Sequence, residues 1–200
     1  MSQLSAQSIK GLCEPRGLRK PMISPFVPTK QVLNGKSYGL SAASYDLRIA
    51  HDLVLGPHPG HILVDMLATN KGFYASETLR EFHMYAEKGM PPCFALAHTV
   101  EDFAMPDDVS GQICDKSTYA RLGLSCFNTF FDPGFHGNGT LELVNLSPQM
   151  IVIRAGDPIC QIVFNWLDKP TDIPYVGKYQ GQHGGPVAAI LEEALQETGT

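Results

Sequence analysis

Three stretches gather side chains that do chemistry. Asp115-Lys116-Ser117-Thr118-Tyr119-Ala120-Arg121-Leu122-Gly123-Leu124 packs two cations, two hydroxyls and small residues into a turn-to-helix pattern. Hydroxyls, backbone N–H groups and a helix N-terminus together hold phosphate oxygens, and a capped surface helix has the same composition, so both readings stand. From Phe131 to Asn145, a turn built on Asp132-Pro133-Gly134 leads into a strand whose alternation puts Thr140 and Glu142 on one side, Leu141 and Leu143 on the other. If Glu142 faces a pocket it is a candidate general base; if it faces water it is a surface charge. The third stretch, Tyr175-Val176-Gly177-Lys178-Tyr179-Gln180-Gly181-Gln182-His183-Gly184-Gly185, suits a flap that brings stacking, charge and amide contacts onto an anionic aromatic ligand. A flexible linker has a similar composition.

The elements that must position these groups are mostly short strands. Apolar runs (Ile62 to Val64, Cys93 to Ala97, Leu141 to Val144, Ile159 to Phe164) are separated by clusters of Gly, Pro, Asn and Asp. That pattern predicts a β-barrel or sandwich. Two helices are expected, both near the ends: Ser5 to Leu12, capped by Ser5 with Ile9 and Leu12 inward, and Val187 to Gln196, following Pro186 with an apolar stripe. Glu77 to Glu87 reads as charged helix or strand. The expectation is a single domain over residues 1–200, with 175–200 as a C-terminal flap and tail.

Composition narrows the function classes. A net charge of -5 argues against general nucleic-acid binding, although residues 1–36 hold six basic side chains against the single acid Glu14. No apolar run is long enough to span a bilayer, and Met1-Ser2-Gln3-Leu4-Ser5 lacks the parts of a signal peptide, so a soluble cytoplasmic protein is expected. Five cysteines without a C-x-x-C pair read as reduced thiols. The H-x-E and P-C-x-x-C signature of zinc nucleobase deaminases is missing: Cys93 follows Pro91-Pro92, but position 96 is Leu. His58 and His61 have metal-compatible spacing but lie in a Pro-Gly-rich turn without nearby partner ligands.

Taken in order, Lys-Ser-Thr-Tyr-Ala-Arg, Asp-Pro-Gly-Phe, Thr-Leu-Glu-Leu, Gly156-Asp157-Pro158-Ile159-Cys160-Gln161 and the Gly-Gln flap resemble the deoxycytidine triphosphate (dCTP) deaminase branch of the trimeric deoxyuridine triphosphatase (dUTPase) superfamily. Ile23-Ser24-Pro25-Phe26 and Tyr38 to Arg48 extend the resemblance over most of the chain. It implies a mainly β fold, a distorted barrel of jelly-roll type, assembled as a homotrimer with an active site at each subunit interface. It implies hydrolytic deamination of dCTP to dUTP and ammonia, with Glu142 as general base and Ser117 and Arg121 positioning water and glutamate. Lys116, Ser117 and Thr118 match the phosphate-contacting stretch, with Tyr119, Ala120 and Arg121 completing it and Lys178 and Gln182 arriving from the flap. Asp132, Thr140, Leu141 and Glu142 match the lining of deoxyribose and base, and Gln161 and Tyr175 match further nucleotide contacts. Mg²⁺ is implied only through the substrate triphosphate, with no protein metal site and no zinc.

The chain departs from the family in places. Lys116 and Phe130-Phe131 stand where some members carry Arg, and the C-terminal stripe replaces a short tail. Rival readings are a bifunctional enzyme giving dUMP, with Asp132 activating a second water, or a dUTPase. A catalytically inactive trimeric nucleotide-binding protein is a reading of another class. Glu142, Ser117 and Arg121 together favour deamination.

Overall fold

The structure, a computed structural model, describes residues 2–15, 17, 19–50, 54–57, 74–77, 81–84 and 93–190. In chain order the described elements are β1 (Ser2–Gln3), α1 (Ala6–Cys13), β2 (Ile23–Ser24), β3 (Gln31–Leu33), β4 (Lys36–Leu40), β5 (Tyr45–Arg48), β6 (Val54–Pro57), β7 (Tyr74–Glu77) and β8 (Glu81–Met84). There follow β9 (Cys93–Ala104), β10 (Val109–Asp115), α2 (Ser117–Ala120), β11 (Leu124–Cys126), β12 (Phe130–Phe131), β13 (His136–Asn145), β14 (Ile151–Arg154) and β15 (Pro158–Trp166).

Ser5 starts α1 as expected: its Oγ accepts the Ser8 N–H, and Ile9, Leu12 and Cys13 are buried. The predicted C-terminal helix differs. Val187 to Ile190 is irregular, because the Val187 N–H points to Thr140 Oγ1 (3.5 Å) and the Ile190 N–H to Tyr179 Oη (3.1 Å) rather than to carbonyls one turn back. Residues 191–196 of that expectation, like His58, His61 and the run from Ile62 to Val64, lie outside the described residues. Of the ambiguous stretch from Glu77 to Glu87, the described part is strand.

Among the described residues the strands form two antiparallel sheets and a small β8–β14 pair. One sheet runs β12-β10-β15-β5-β4-β3 with β1 beside β15; the other runs β11-β13-β9-β6-β7 with β2 beside β9. This is the mainly β architecture that the strand pattern predicts, and the distorted barrel that the resemblance implies. Alternating side chains of both sheets meet in one core, where Tyr45, Leu47, Ile113, Ile162 and Phe164 from the first face Ile23, Phe103 and Leu141 from the second.

An ion pair also crosses between the sheets. Glu101 of β9 is fully buried, and its carboxylate receives Arg48 Nε at 2.8 Å and the Arg48 N–H at 3.0 Å from β5. The Arg48 guanidinium carbon also lies over the Tyr38 ring, 5.2 Å from its centre. Removing one member of such a pair strands the other charge in the core. Arg48→Met is therefore expected to lower unfolding free energy by about 3 to 5 kcal/mol, measured by urea titration; a loss no larger than that of an exposed-arginine control would refute the bridge.

Candidate active site

β13 carries the site because its alternation is regular where it matters. Leu141 and Leu143 are buried in the core, while Thr140 and Glu142 emerge on the other face. Pairing with β9 sets Glu142 opposite Leu96 and Val144 opposite Phe94. The register shifts between Asn138 and Thr140, where the Gly139 N–H bonds Thr99 Oγ1 at 2.9 Å. A Cβ on Gly139 would come within 2.6 Å of the Phe131 ring, so this irregularity requires glycine.

Glu142 opens into a cavity of about 600 Å³. Phe94, Leu96, Phe130 and Phe131 form its apolar wall; Thr129, Asp132, Thr140 and Glu142 supply polar groups. Tyr175, Lys178 and Gln182 close another side. The Thr129 hydroxyl donates to Glu142 Oε2 at 2.5 Å. Burial pushes the Glu142 carboxyl above the ordinary glutamate range, and the Thr129 hydrogen bond only partly offsets this. A carboxyl so placed holds a proton more readily than a solvated one, as a group that both accepts and returns protons must.

The flap is folded onto its own chain. Gly134 (φ +82°) sits against Pro174, and Pro133 O accepts the Tyr175 N–H at 2.8 Å, docking the flap on the Asp-Pro-Gly turn. A relay of ring contacts, Phe103–Phe131 (4.8 Å), Phe131–Phe135 (5.3 Å) and Phe135–Tyr175 (5.8 Å), ties it to the core. Gln180 Oε1 accepts the His136 N–H, and its Nε2 donates to Gly134 O and Tyr175 O, each at 2.9 Å. Gln182 donates to Asn138 O, and its own Oε1 accepts from Thr140 Oγ1 (3.3 Å). Lys178 stays exposed, its ammonium 5.5 Å from the Tyr179 ring centre.

The remaining expected site residues fall elsewhere. Ser117, Thr118, Ala120 and Arg121 are exposed on the outer face of α2, and none of them lines the Glu142 cavity. Three others have partners inside the chain. Lys116 is buried with Nζ 2.6 Å from Asp46 Oδ2. Tyr119 is buried too, donating to Asp157 Oδ2 at 2.9 Å. Gln161 spends its amide on the Ser44 hydroxyl (3.1 Å) and Asp115 O (3.0 Å), away from the cavity. Leu141 is not among the residues that line the cavity, and its side chain is in the core. Thr129 escaped sequence reasoning: no motif flags a lone threonine, and only register shows that it meets Glu142.

The comparisons with known proteins define first the scaffold and then the family. A crystal structure of 2′-deoxycytidine 5′-triphosphate deaminase from Agrobacterium tumefaciens superposes with a TM-score of 0.55 at 21% identity, covering 81% of this chain and 47% of that one, which establishes a shared fold. The dCTP deaminase-like family matches residues 4–167. The dCTP deaminase of Campylobacter hominis is 35% identical over 185 residues (88% of this chain, 92% of that protein). That of Campylobacter lari is 37% identical over 180 residues (88% and 93%). The chain belongs to the dCTP deaminase-like family.

The raised Glu142 pKa has a consequence for stability. Because the folded value lies above the unfolded one, the stabilising contribution is fully present below the unfolded pKa of about 4.3 and is lost as pH rises through the folded value. Glu142→Gln does not titrate, so its urea midpoint is expected to gain on the parent's as pH rises through the range above about 4.3. A midpoint difference that stays constant over that range would contradict the desolvated carboxyl.

Proposed function

We propose that this protein deaminates dCTP hydrolytically to dUTP and ammonia, with Glu142 as the general base. The observation that carries the reading is a carboxyl of raised pKa, hydrogen-bonded to Thr129, inside a cavity of nucleoside dimensions in a dCTP deaminase-like chain. Glu142 takes a proton from water while the hydroxide adds to C4 of cytosine, and passes that proton to N3 as the C4–N3 double bond opens. The same carboxylate then takes the proton of the new C4 hydroxyl and delivers it to the departing amino group; the C4–N bond breaks, ammonia leaves and the C4 carbonyl forms. Water is a poor nucleophile and the amide ion a poor leaving group, so one positioned group that both accepts and returns a proton serves both steps.

The exposed α2 face and the Glu142 cavity lie on separate parts of one chain. A homotrimer in which Ser117 and Arg121 of a second copy complete each cavity joins them, and there the guanidinium favours the ionised form of Glu142. Lys178 and Gln182 come from the flap, Thr140 and Asp132 line the sugar side, and Tyr175 closes the wall. On this reading the whole chain works as one domain ending in flap and tail. Mg²⁺ supplies charge neutralisation of the triphosphate.

A second reading has a specific observation behind it. Asp132 is exposed and lines the same cavity ten residues before Glu142, so cleavage of dUTP to dUMP and pyrophosphate is the alternative product step.

Purified protein incubated with dCTP and Mg²⁺ and resolved by chromatography is expected to accumulate dUTP. Formation of dUMP would establish the bifunctional reading, and failure to turn over dCTP or dUTP would leave a binding protein. Glu142→Gln is expected to abolish ammonia release while keeping nucleotide affinity, and turnover in that variant would sink the role of Glu142. Lys178→Ala should weaken the triphosphate by about 1 kcal/mol or more and leave deoxycytidine affinity nearly unchanged; equal losses would remove Lys178 from the phosphate contacts.

A further inference from the structure

A four-residue helix cannot hold its own shape, and α2 has no side-chain cap at Lys116. It is nevertheless seated by two ion-containing clusters on its inner face. Lys116 and Tyr119, three apart, point the same way. Lys116 Nζ lies 2.6 Å from Asp46 Oδ2 and 3.3 Å from Ser37 Oγ. Tyr119 donates to Asp157 Oδ2 at 2.9 Å, while Lys36 Nζ lies 2.8 Å from Asp157 Oδ1 and 5.5 Å from the Tyr119 ring centre. Both carboxylates are buried, and both clusters are rooted in β4 through its neighbours Lys36 and Ser37.

We propose that Asp46 and Asp157 are positioning residues that set where Ser117 and Arg121 stand, by clamping α2 through Lys116 and Tyr119. This rests on the reading given above of Ser117 and Arg121. Apolar side chains would fill the space beneath α2 at no greater cost than buried ions do. What the ions add is direction: each hydrogen bond fixes both the depth and the rotation of the turn. Ser117, Thr118 and Arg121 are thereby presented outward on a rigid mount. Reacting groups displaced by about 1 Å lose on the order of 10²-fold in rate, so the clamp acts on turnover more than on affinity.

The test is a double-mutant cycle in kcat on the assembled full-length protein. Tyr119→Phe removes one hydroxyl and leaves the Lys36–Asp157 pair. With folding and assembly verified by circular dichroism and size-exclusion chromatography, it is expected to lose roughly 10- to 100-fold in kcat with little change in KM. Combined with Arg121→Ala, it should cost clearly less than the product of the two single losses, since a misplaced arginine is already gone and only Ser117 remains to be displaced. Losses that multiply, or full kcat in folded Tyr119→Phe, overturn the clamp. Arg121→Ala with full kcat overturns instead the assignment of Arg121 itself. Where Tyr119→Phe does not fold, Lys116→Met loosens the other anchor and is read in the same cycle, with the same outcomes deciding.

Discussion

The pairing of β13 with β9 is the constraint on which the rest of the site depends. Side chains on a strand alternate, so a slip of one residue would carry Glu142 into the core and Leu141 or Leu143 into the cavity. Burying the two leucines on the inner face fixes that register far more strongly than any polar contact of Glu142 does. The shift at Gly139 then lets the strand turn tightly past Phe131, so the Asp-Pro-Gly turn and the flap stack on one side of the same ladder. Core packing thus sets the direction of the carboxylate, and the cavity forms around it.

The chain treats its buried carboxylates in two ways. Asp46, Glu101 and Asp157 are each paired with a cation, respectively Lys116, Arg48 and Lys36. For Asp157, burial works against the charge, but Lys36, the Arg154 N–H and the Tyr119 hydroxyl together hold its carboxyl below the usual range. Glu142 meets a neutral hydroxyl instead, and burial prevails, lifting its pKa. Burial also lifts the Glu101 carboxyl despite Arg48, so pairing alone does not hold a buried carboxyl low; what sets Glu142 apart is that it opens into a cavity with a neutral partner, where a carboxyl can exchange a proton.

Local rules made much of this legible. The Ser5 cap, the two-residue period of β13, the Asp-Pro-Gly turn and the flap glycines each express a short-range preference that the tertiary structure reinforces. What could not be read was the choice of partner across long separations. Lys116 and Asp46 are 70 residues apart, and nothing in the Lys-Ser-Thr motif says that its first residue turns inward. Gln161 likewise bonds Ser44, 117 residues away, through register between β5 and β15. Thr129 acquires its meaning only because β13 brings Glu142 to it. At the C-terminus the apolar stripe pointed to helix, yet Thr140 and Tyr179 offered the backbone of Val187 and Ile190 other acceptors. Tertiary hydrogen bonds overrode the periodic signal there.

The division of labour between the two sheets follows from these pairings. Glu142 is mounted on the sheet built around β9 and β13, and α2 is clamped to β4, β5 and the β14–β15 turn. Had both parts faced one cavity within a chain, the Arg121 guanidinium would already favour the ionised form of Glu142. Instead the base stands in an apolar pocket and the cation on an outer surface. Under the proposed trimeric arrangement, the charge that readies the glutamate arrives only with a neighbour, so proton-transfer competence and assembly become one event. Desolvation makes this separation tolerable: burial favours the neutral form of Glu142, which lowers the cost of an unpaired carboxyl beside aromatic rings until the partner's charge is in place.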